Sequence, residues 1–350
     1  MLSRRNFIRS AGALTALSLT PLSGKASQLL NTERSEKPNI LPKRLKRGDT
    51  IGLITPSGPI TKKQLDETVI KLKNLGFKPY WEDSVLSQYG YFAGKDNERA
   101  EELNKMFANE NIDGIICVRG GYGAIRILDM LDYDAIEANP KVFMGYSDIT
   151  AFLNAIHSRT GLVTFHGPLG ISQVNDFTLN SFNNVVMNPK SRYKYPYMRE
   201  PGTETNPEFD IYTINKGKAT GELIGGNISV IASMIGSDFE PDFEGKLVFL
   251  EEIEEKTYRV DKMLVHLLQA TNLKKAAGIA FGVFKECNVN DEPRLTLRQA
   301  IADLFKPLDM PISYGLPFGH INTIITIPVG IKAKFDANKN RLKLLEQAVF

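Results

Sequence analysis

Residues 50–76 read TIGLITPSGPITKKQLDETVIKLKNLG, and the fold turns on this stretch. Thr50 to Thr55 form a β-prone apolar run, and Pro56-Ser57-Gly58-Pro59 breaks it as a turn. Residues 61–75 then have helical periodicity, closed by Gly76. The same strand–turn–helix unit recurs downstream: strands are expected over 78–81, 114–118 and 142–146, and helices over 97–109, 123–131 and 149–159. Such alternation specifies a parallel sheet with helices on both faces. It stops at residues 172–218, where Asn-rich and Pro/Tyr-rich stretches such as NPKSRYKYPYMREPG (188–202) carry no amphipathic period. This segment reads as an interdomain crossing between a first domain over 43–171 and a second over 219–350. In the second, helices are expected over 228–235, 258–270 and 295–304, strands over 246–251 and 278–284, and β-rich chain from 311 onward. The fold class is therefore α/β with two domains.

The chain has 350 residues, 42% hydrophobic and 24% charged, enough apolar chain for a sizeable core. A net charge of +3 is too small for a phosphate-tracking groove, which argues against a nucleic-acid partner. Two cysteines, Cys117 and Cys287, and four histidines with no HExxH pair argue against a metal enzyme, and no cofactor is expected. Residues 1–26 combine Arg4, Arg5 and Arg9 with a short apolar run from Ala11 to Leu19 and small residues around Lys25. They read as an export signal of the twin-arginine kind, too short to span a bilayer and with no nearby cysteine to carry a lipid. The four positive charges of this segment exceed the whole-chain excess. Residues 27–42 read as a polar linker, and the mature protein is expected to be periplasmic with no stable membrane anchor.

Chemistry is expected where the parallel strands end. In Gly145-Tyr146-Ser147-Asp148-Ile149-Thr150 a serine stands between a buried strand and a helix. There it is either a nucleophile exposed at a sharp turn or, with Asp148, a helix cap. One strand earlier, Val118-Arg119-Gly120-Gly121-Tyr122-Gly123 has three glycines in four residues, suited to an oxyanion hole or to a plain turn; Arg126 replaces the last glycine of a dinucleotide motif. A serine nucleophile needs a histidine base and an orienting carboxylate. His266 falls in the expected helix 258–270 and reads as a packed residue. His157 lies near a helix C-terminus, while His166 in Phe165-His166-Gly167-Pro168 reaches a strand end and could line a site. His320, in Gly315-Leu316-Pro317-Phe318-Gly319-His320, occupies a rigid glycine- and proline-bounded loop. Glu251 ends the strand KLVFL and can leave the sheet into a cleft, although Glu251, Glu252, Glu254 and Glu255 also read as a solvated acidic run.

Taken in order, LKRGDTIGLITPSGP (45–59), VRGGYG (118–123), GYSDIT (145–150), FHGP (165–168), GELIGGNISV (221–230), LVFLEEIEEKTYRVDKML (247–264), GLPFGH (315–320) and PVG (328–330) resemble the L,D-carboxypeptidase family of serine peptidases. That family comprises muramoyltetrapeptide carboxypeptidases and microcin C self-immunity peptidases. The resemblance implies a flavodoxin-like N-terminal domain carrying the nucleophile and a β-rich, barrel-like C-terminal domain carrying glutamate and histidine, with the site between them. It implies Ser147 as nucleophile, His320 as base, Glu251 as its partner, and an oxyanion hole from the N–H groups of Asp148 and Gly121. The implied substrate is a murein tetrapeptide losing its terminal D-alanine, and the implied assembly a homodimer. Arg119, Asn227 and Arg259 are candidates for the substrate carboxylate, with Tyr122 and His166 as further lining residues. The competing expectations are a peptidase of acyl-adenylate peptides and a secreted, non-catalytic binder of peptidoglycan fragments.

Overall fold

The computed structural model describes residues 37–287 and 295–350, so the expected export signal and the linker up to residue 36 lie outside the described residues. The last linker residues are tied down: Ile40 bridges Leu162, and Asn39 donates to the Gly330 carbonyl.

The first half runs β1 (Thr50–Ile54), α1 (Lys62–Asn74), β2 (Lys78–Tyr80), α2 (Asp96–Ala108), β3 (Gly114–Cys117), a 3-10 segment Ala124–Met130, α3 (Tyr133–Ala138), β4 (Val142–Gly145), α4 (Thr150–Thr160) and β5 (Thr164–His166). Then come α5 (Asp176–Phe182), β6 (Tyr212–Asn215), β7 (Lys218–Asn227), α6 (Ile228–Met234), β8 (Leu247–Ile253), α7 (Thr257–Ala270), β9 (Gly278–Lys285) and α8 (Leu297–Phe305). The chain ends with β10 (Ile312–Tyr314), β11 (Ile327–Val329), β12 (Lys332–Asp336) and β13 (Arg341–Leu344).

Local chemistry accounts for the opening unit. Thr61 and Gln64 form a reciprocal capping box at the start of α1, which buries Leu65, Val69 and Leu72 and places Lys71 and Lys73 in its last turn. Strands β3 and β4 are buried at every position, as expected of strands covered on both faces. They belong to a six-stranded sheet of order β11-β5-β4-β3-β1-β2, in which β1 to β5 run parallel. The second sheet has seven strands in the order β13-β12-β7-β8-β9-β10-β6. Its centre, β7 to β10, is parallel, and β12, β13 and β6 add antiparallel edges, making a mixed, curled half-barrel.

Several local expectations change. Residues 172–218 hold α5 and β6 as well as irregular chain; a seven-residue helix is too short to show a period, and β6 owes its existence to pairing with β10, about a hundred residues away. Residues 124–130 form a 3-10 segment. His266 is exposed, because the buried stripe of α7 runs through Val260, Leu264, Leu267 and Leu268. Cys117 and Cys287 are both free and buried.

The chain crosses between the two sheets after β5, β10 and β11. Strand β11 comes from the C-terminal half, yet it pairs antiparallel with β5 in the first sheet, Ile327 opposite His166. The chain then returns to the second sheet as β12, which pairs with β7. The loop carrying His320 is thereby pinned against the sheet carrying Ser147.

Candidate active site

The turn carrying Ser147 follows β4. Gly145 has no room for a side chain, because a Cβ there would lie 2.9 Å from the side chain of Ile149. Ser147 adopts φ +65°, the left-handed region, which costs a non-glycine residue about 1–3 kcal/mol and is held by its surroundings. The helix-cap reading does not describe this serine, since neither Ser147 nor Asp148 caps α4 with its side chain. The Asp148 carboxylate instead crosses to the glycine turn and accepts the N–H of Ala124 at 2.8 Å. Burial pushes the Asp148 carboxyl above its ordinary range, against the opposing contacts of Ser57 and the Ala124 N–H.

The glycine turn lies directly against the serine. A Cβ on Gly120 would come within 2.9 Å of Ser147 Cβ and 3.0 Å of its Oγ, so glycine at this position is a condition of the close approach. Gly58 donates its N–H to the Gly120 carbonyl at 3.0 Å, and Gly121, at φ +123°, packs on Gly58. Arg99, fully buried, donates to the carbonyls of Pro56 and Gly123 (3.1 Å to the latter) and is neutralised by Asp96 at 2.6 Å. One buried guanidinium thus locks the turn after β1 to the turn after β3. Nothing in the sequence around Arg99 signals this role, because its partners lie 43 and 24 residues away.

His320 and Glu251 come from the second half. His320 Nδ1 donates to Glu251 Oε2 at 2.7 Å, with the glutamate fully buried. Gly319, at φ +113°, lets the loop pass over the carboxylate; a Cβ there would sit 3.2 Å from Glu251 Oε2. Burial alone would raise the Glu251 pKa, but the His320 charge and hydrogen bond outweigh it and hold the carboxyl below its ordinary value. Burial would lower His320, and the attraction of Glu251 outweighs it, leaving the imidazole above 6.5.

The acidic run is no solvated face at its start. A register shift between Leu250 and Glu252 in the pairing of β8 with β9 breaks strict alternation, and Glu251 and Glu252 are both buried. Their roles differ: Glu252 accepts from Asn227 Nδ2 (3.0 Å), the Ser229 N–H (2.8 Å) and the Ser229 hydroxyl (2.6 Å), anchoring the start of α6.

The His320 ring meets Tyr146, the residue before Ser147, edge-on at 4.9 Å between centroids. Serine, histidine and glutamate are thus gathered at one corner of the molecule. Among the described residues no hydrogen bond joins the Ser147 hydroxyl to His320.

The remaining candidates divide. His166 is fully enclosed by Tyr146, Phe249 and Phe318, so it lies beneath the site and does not line it; burial holds its pKa at about 4. Asn227 is buried and spends its side chain on Glu252, Ser229 and the Val230 N–H, which removes it as a free substrate donor. Arg259, exposed in the first turn of α7, pairs with Glu255 at 3.6 Å and meets the Tyr258 hydroxyl. Arg119 and Tyr122 line a cleft of about 400 Å³ together with Gly58, Pro59, Tyr91 and Gly121. Among the described residues no group of three or more His, Cys, Asp or Glu side chains is placed to hold a metal ion.

A parallel sheet ending in a strained serine turn, with a buried histidine–carboxylate pair supplied by β8 and the loop before β11, defines a two-domain α/β architecture with a candidate hydrolase site. Comparison with known proteins makes this specific. Residues 51–167 match the LD-carboxypeptidase N-terminal domain and residues 220–335 the LD-carboxypeptidase C-terminal domain, and the chain belongs to this family of peptidases. The chain is 38% identical over 301 residues to a probable murein peptide carboxypeptidase of Bacillus subtilis, covering 84% of this chain and 91% of that one. A structure of the self-immunity protein MccF in complex with glutamyl sulfamoyl guanosine superposes with a TM-score of 0.82 at 26% identity, covering 89% and 99% of the two chains. A muramoyltetrapeptide carboxypeptidase from Oxalobacter formigenes gives 0.73 at 29% identity, covering 84% and 97%.

Proposed function

We propose that this protein is a serine L,D-carboxypeptidase that removes the terminal D-alanine from murein tetrapeptides, cutting the bond after L-lysine or meso-diaminopimelate. The observation that carries the reading is the buried Glu251–His320 pair set against a serine in the left-handed conformation. Glu251 holds the Nδ1–H tautomer, leaving Nε2 free to take the Ser147 proton as the hydroxyl attacks the scissile carbonyl. The oxyanion is received by two backbone N–H groups. Asp148 precedes the first closed bond of its turn, from the Ile149 N–H to the Tyr146 carbonyl, so its N–H is available. Because the Gly120 carbonyl points to Gly58, the Gly121 N–H of the same planar trans peptide points the opposite way, away from Gly58. His320 then protonates the leaving D-alanine amine, and water, activated by the same imidazole, resolves the acyl-enzyme.

Incubating the protein with a murein tetrapeptide and following D-alanine by mass spectrometry tests the reading. Release should fall by about 10³-fold or more in Ser147→Ala. Near-normal release by that variant would sink the assignment of Ser147, and an intact peptide with the native chain would indicate a binder. The MccF structures favour a second reading, in which the substrate is an aminoacyl sulfamoyl nucleoside. Incubation with aspartyl sulfamoyl adenosine, with mass spectrometry for released aspartate and sulfamoyl adenosine, separates the two. The residue 1–26 pattern supports action in the periplasm, and a homodimer follows from the family resemblance.

A further inference from the structure

Arg119 differs from its cationic neighbours. Arg99 and Arg126 both pair with Asp96, at 2.6 Å each, whereas Arg119 has no carboxylate partner among the described residues. Its only hydrogen bond there runs from Nη1 to the Pro59 carbonyl at 2.9 Å, so most of the five donors of an exposed guanidinium remain unused. It lines the same cleft as Gly121, and Gly120, between the two, touches Ser147. The cleft also carries an aromatic pair: Tyr91 and Tyr122 pack on each other, centroids 5.8 Å apart and planes tilted by 53°, and are 66% and 52% exposed. An unpaired guanidinium fork within two residues of the nucleophile's contact, in a cleft that also holds two rings, is built for a small planar anion.

We propose that this cleft is a carboxylate subsite, in which Arg119 holds a carboxylate of the murein peptide beside the Tyr91–Tyr122 pair. The proposal rests on the reading of the protein as an L,D-carboxypeptidase and names the residue that anchors a carboxylate of its substrate. Two substrate carboxylates share this chemistry. The leaving D-alanine carries one a single residue from the scissile carbonyl, and the side chain of meso-diaminopimelate carries another. In either case the fork orients the substrate before attack, and the tyrosine pair limits what can extend past D-alanine.

The test uses three peptides: the meso-diaminopimelate tetrapeptide as free acid, the same peptide ending in D-alaninamide, and the L-lysine tetrapeptide as free acid. In Arg119→Gln, kcat/KM for the acid that is recognised should fall about 10- to 100-fold, the worth of a hydrogen-bonded charge contact. Arg119→Lys, which keeps the charge and loses the fork, should recover part of it. Loss on both free acids with collapse of the acid-over-amide preference identifies the terminal carboxylate. Loss confined to the two diaminopimelate peptides identifies the side-chain carboxylate. Equal loss on all three peptides, or no loss on any, overturns the subsite. Failure of the unsubstituted protein to release D-alanine from any peptide overturns the underlying reading, and is recognised before any substitution at Arg119.

Discussion

Glu251 keeps its negative charge in a fully buried position chiefly because His320 answers it at 2.7 Å, and the consequences of that pairing are readable in pH. As the proposed base, His320 works as a neutral imidazole, and Glu251 raises it above the usual 6.5, so the acid limb of kcat/KM should have its midpoint on the alkaline side of 6.5. Glu251→Gln removes that attraction while the imidazole stays buried, so the limb should move to lower pH. Meanwhile kcat should fall by about 10⁴-fold, as when other triad carboxylates become amides. A pH–rate profile of the two proteins checks this, and an unmoved limb would refute Glu251 as the partner. The stability linkage has opposite signs for the two groups. His320, raised on folding, contributes fully below 6.5 and loses its contribution as pH climbs through its folded value; Glu251, lowered, contributes above 4.5 and loses it as pH falls through its folded value. The pair therefore supports the fold most strongly between those two limits.

The end of β7 is where one element positions another. Gly225 accepts from Asn154 Nδ2 at 3.0 Å, and the Asn227 N–H donates to Thr150 Oγ1 at 3.0 Å, so the strand is docked on α4, the helix that follows Ser147. Gly226 lies between these contacts at φ +135°, and a Cβ there would be 2.5 Å from Thr150 Oγ1. Gly226→Ala should therefore push α4 off β7 and cost about 2–4 kcal/mol, from backbone strain plus overpacking. Denaturant titration measures the loss, and because the clash is with one side chain, adding Thr150→Ala should recover part of it. Simple additivity of the two substitutions would argue against the contact.

At the scale of the whole molecule, the chain leaves the first sheet after β5, builds most of the second, and returns as β11 to lie beside β5. Seven residues before β11 stands His320, so the site cannot be complete until the C-terminal half has folded back on the N-terminal one. A protein whose site needs its entire chain is well served by a route that carries folded cargo, which agrees with the twin-arginine pattern of residues 3–9. Replacing Arg4 and Arg5 together by lysine should leave D-alanine release by the purified protein unchanged while shifting the protein from the periplasmic to the cytoplasmic fraction. An unchanged distribution in fractionated cells would remove the twin-arginine route.

The strand–helix alternation of residues 50–160, the capping box at Thr61, and the glycine and serine turns were legible in the sequence because each depends on residues within a few positions of one another. The motifs around Ser147 and His320 likewise single these two residues out as candidates. The choice between two adjacent acids was not legible in this way. Strand alternation favours one of them, but both are buried at a register shift, and only a histidine 69 residues away distinguishes Glu251 from Glu252. The placement of His166 beneath the site, the spending of Asn227 on Glu252, the clamp made by Arg99 and the lack of a carboxylate partner for Arg119 among the described residues belong to the same class. Local periodicity and turn chemistry are properties of short segments, whereas burial, pairing and the absence of a partner are set by packing between segments distant in the chain.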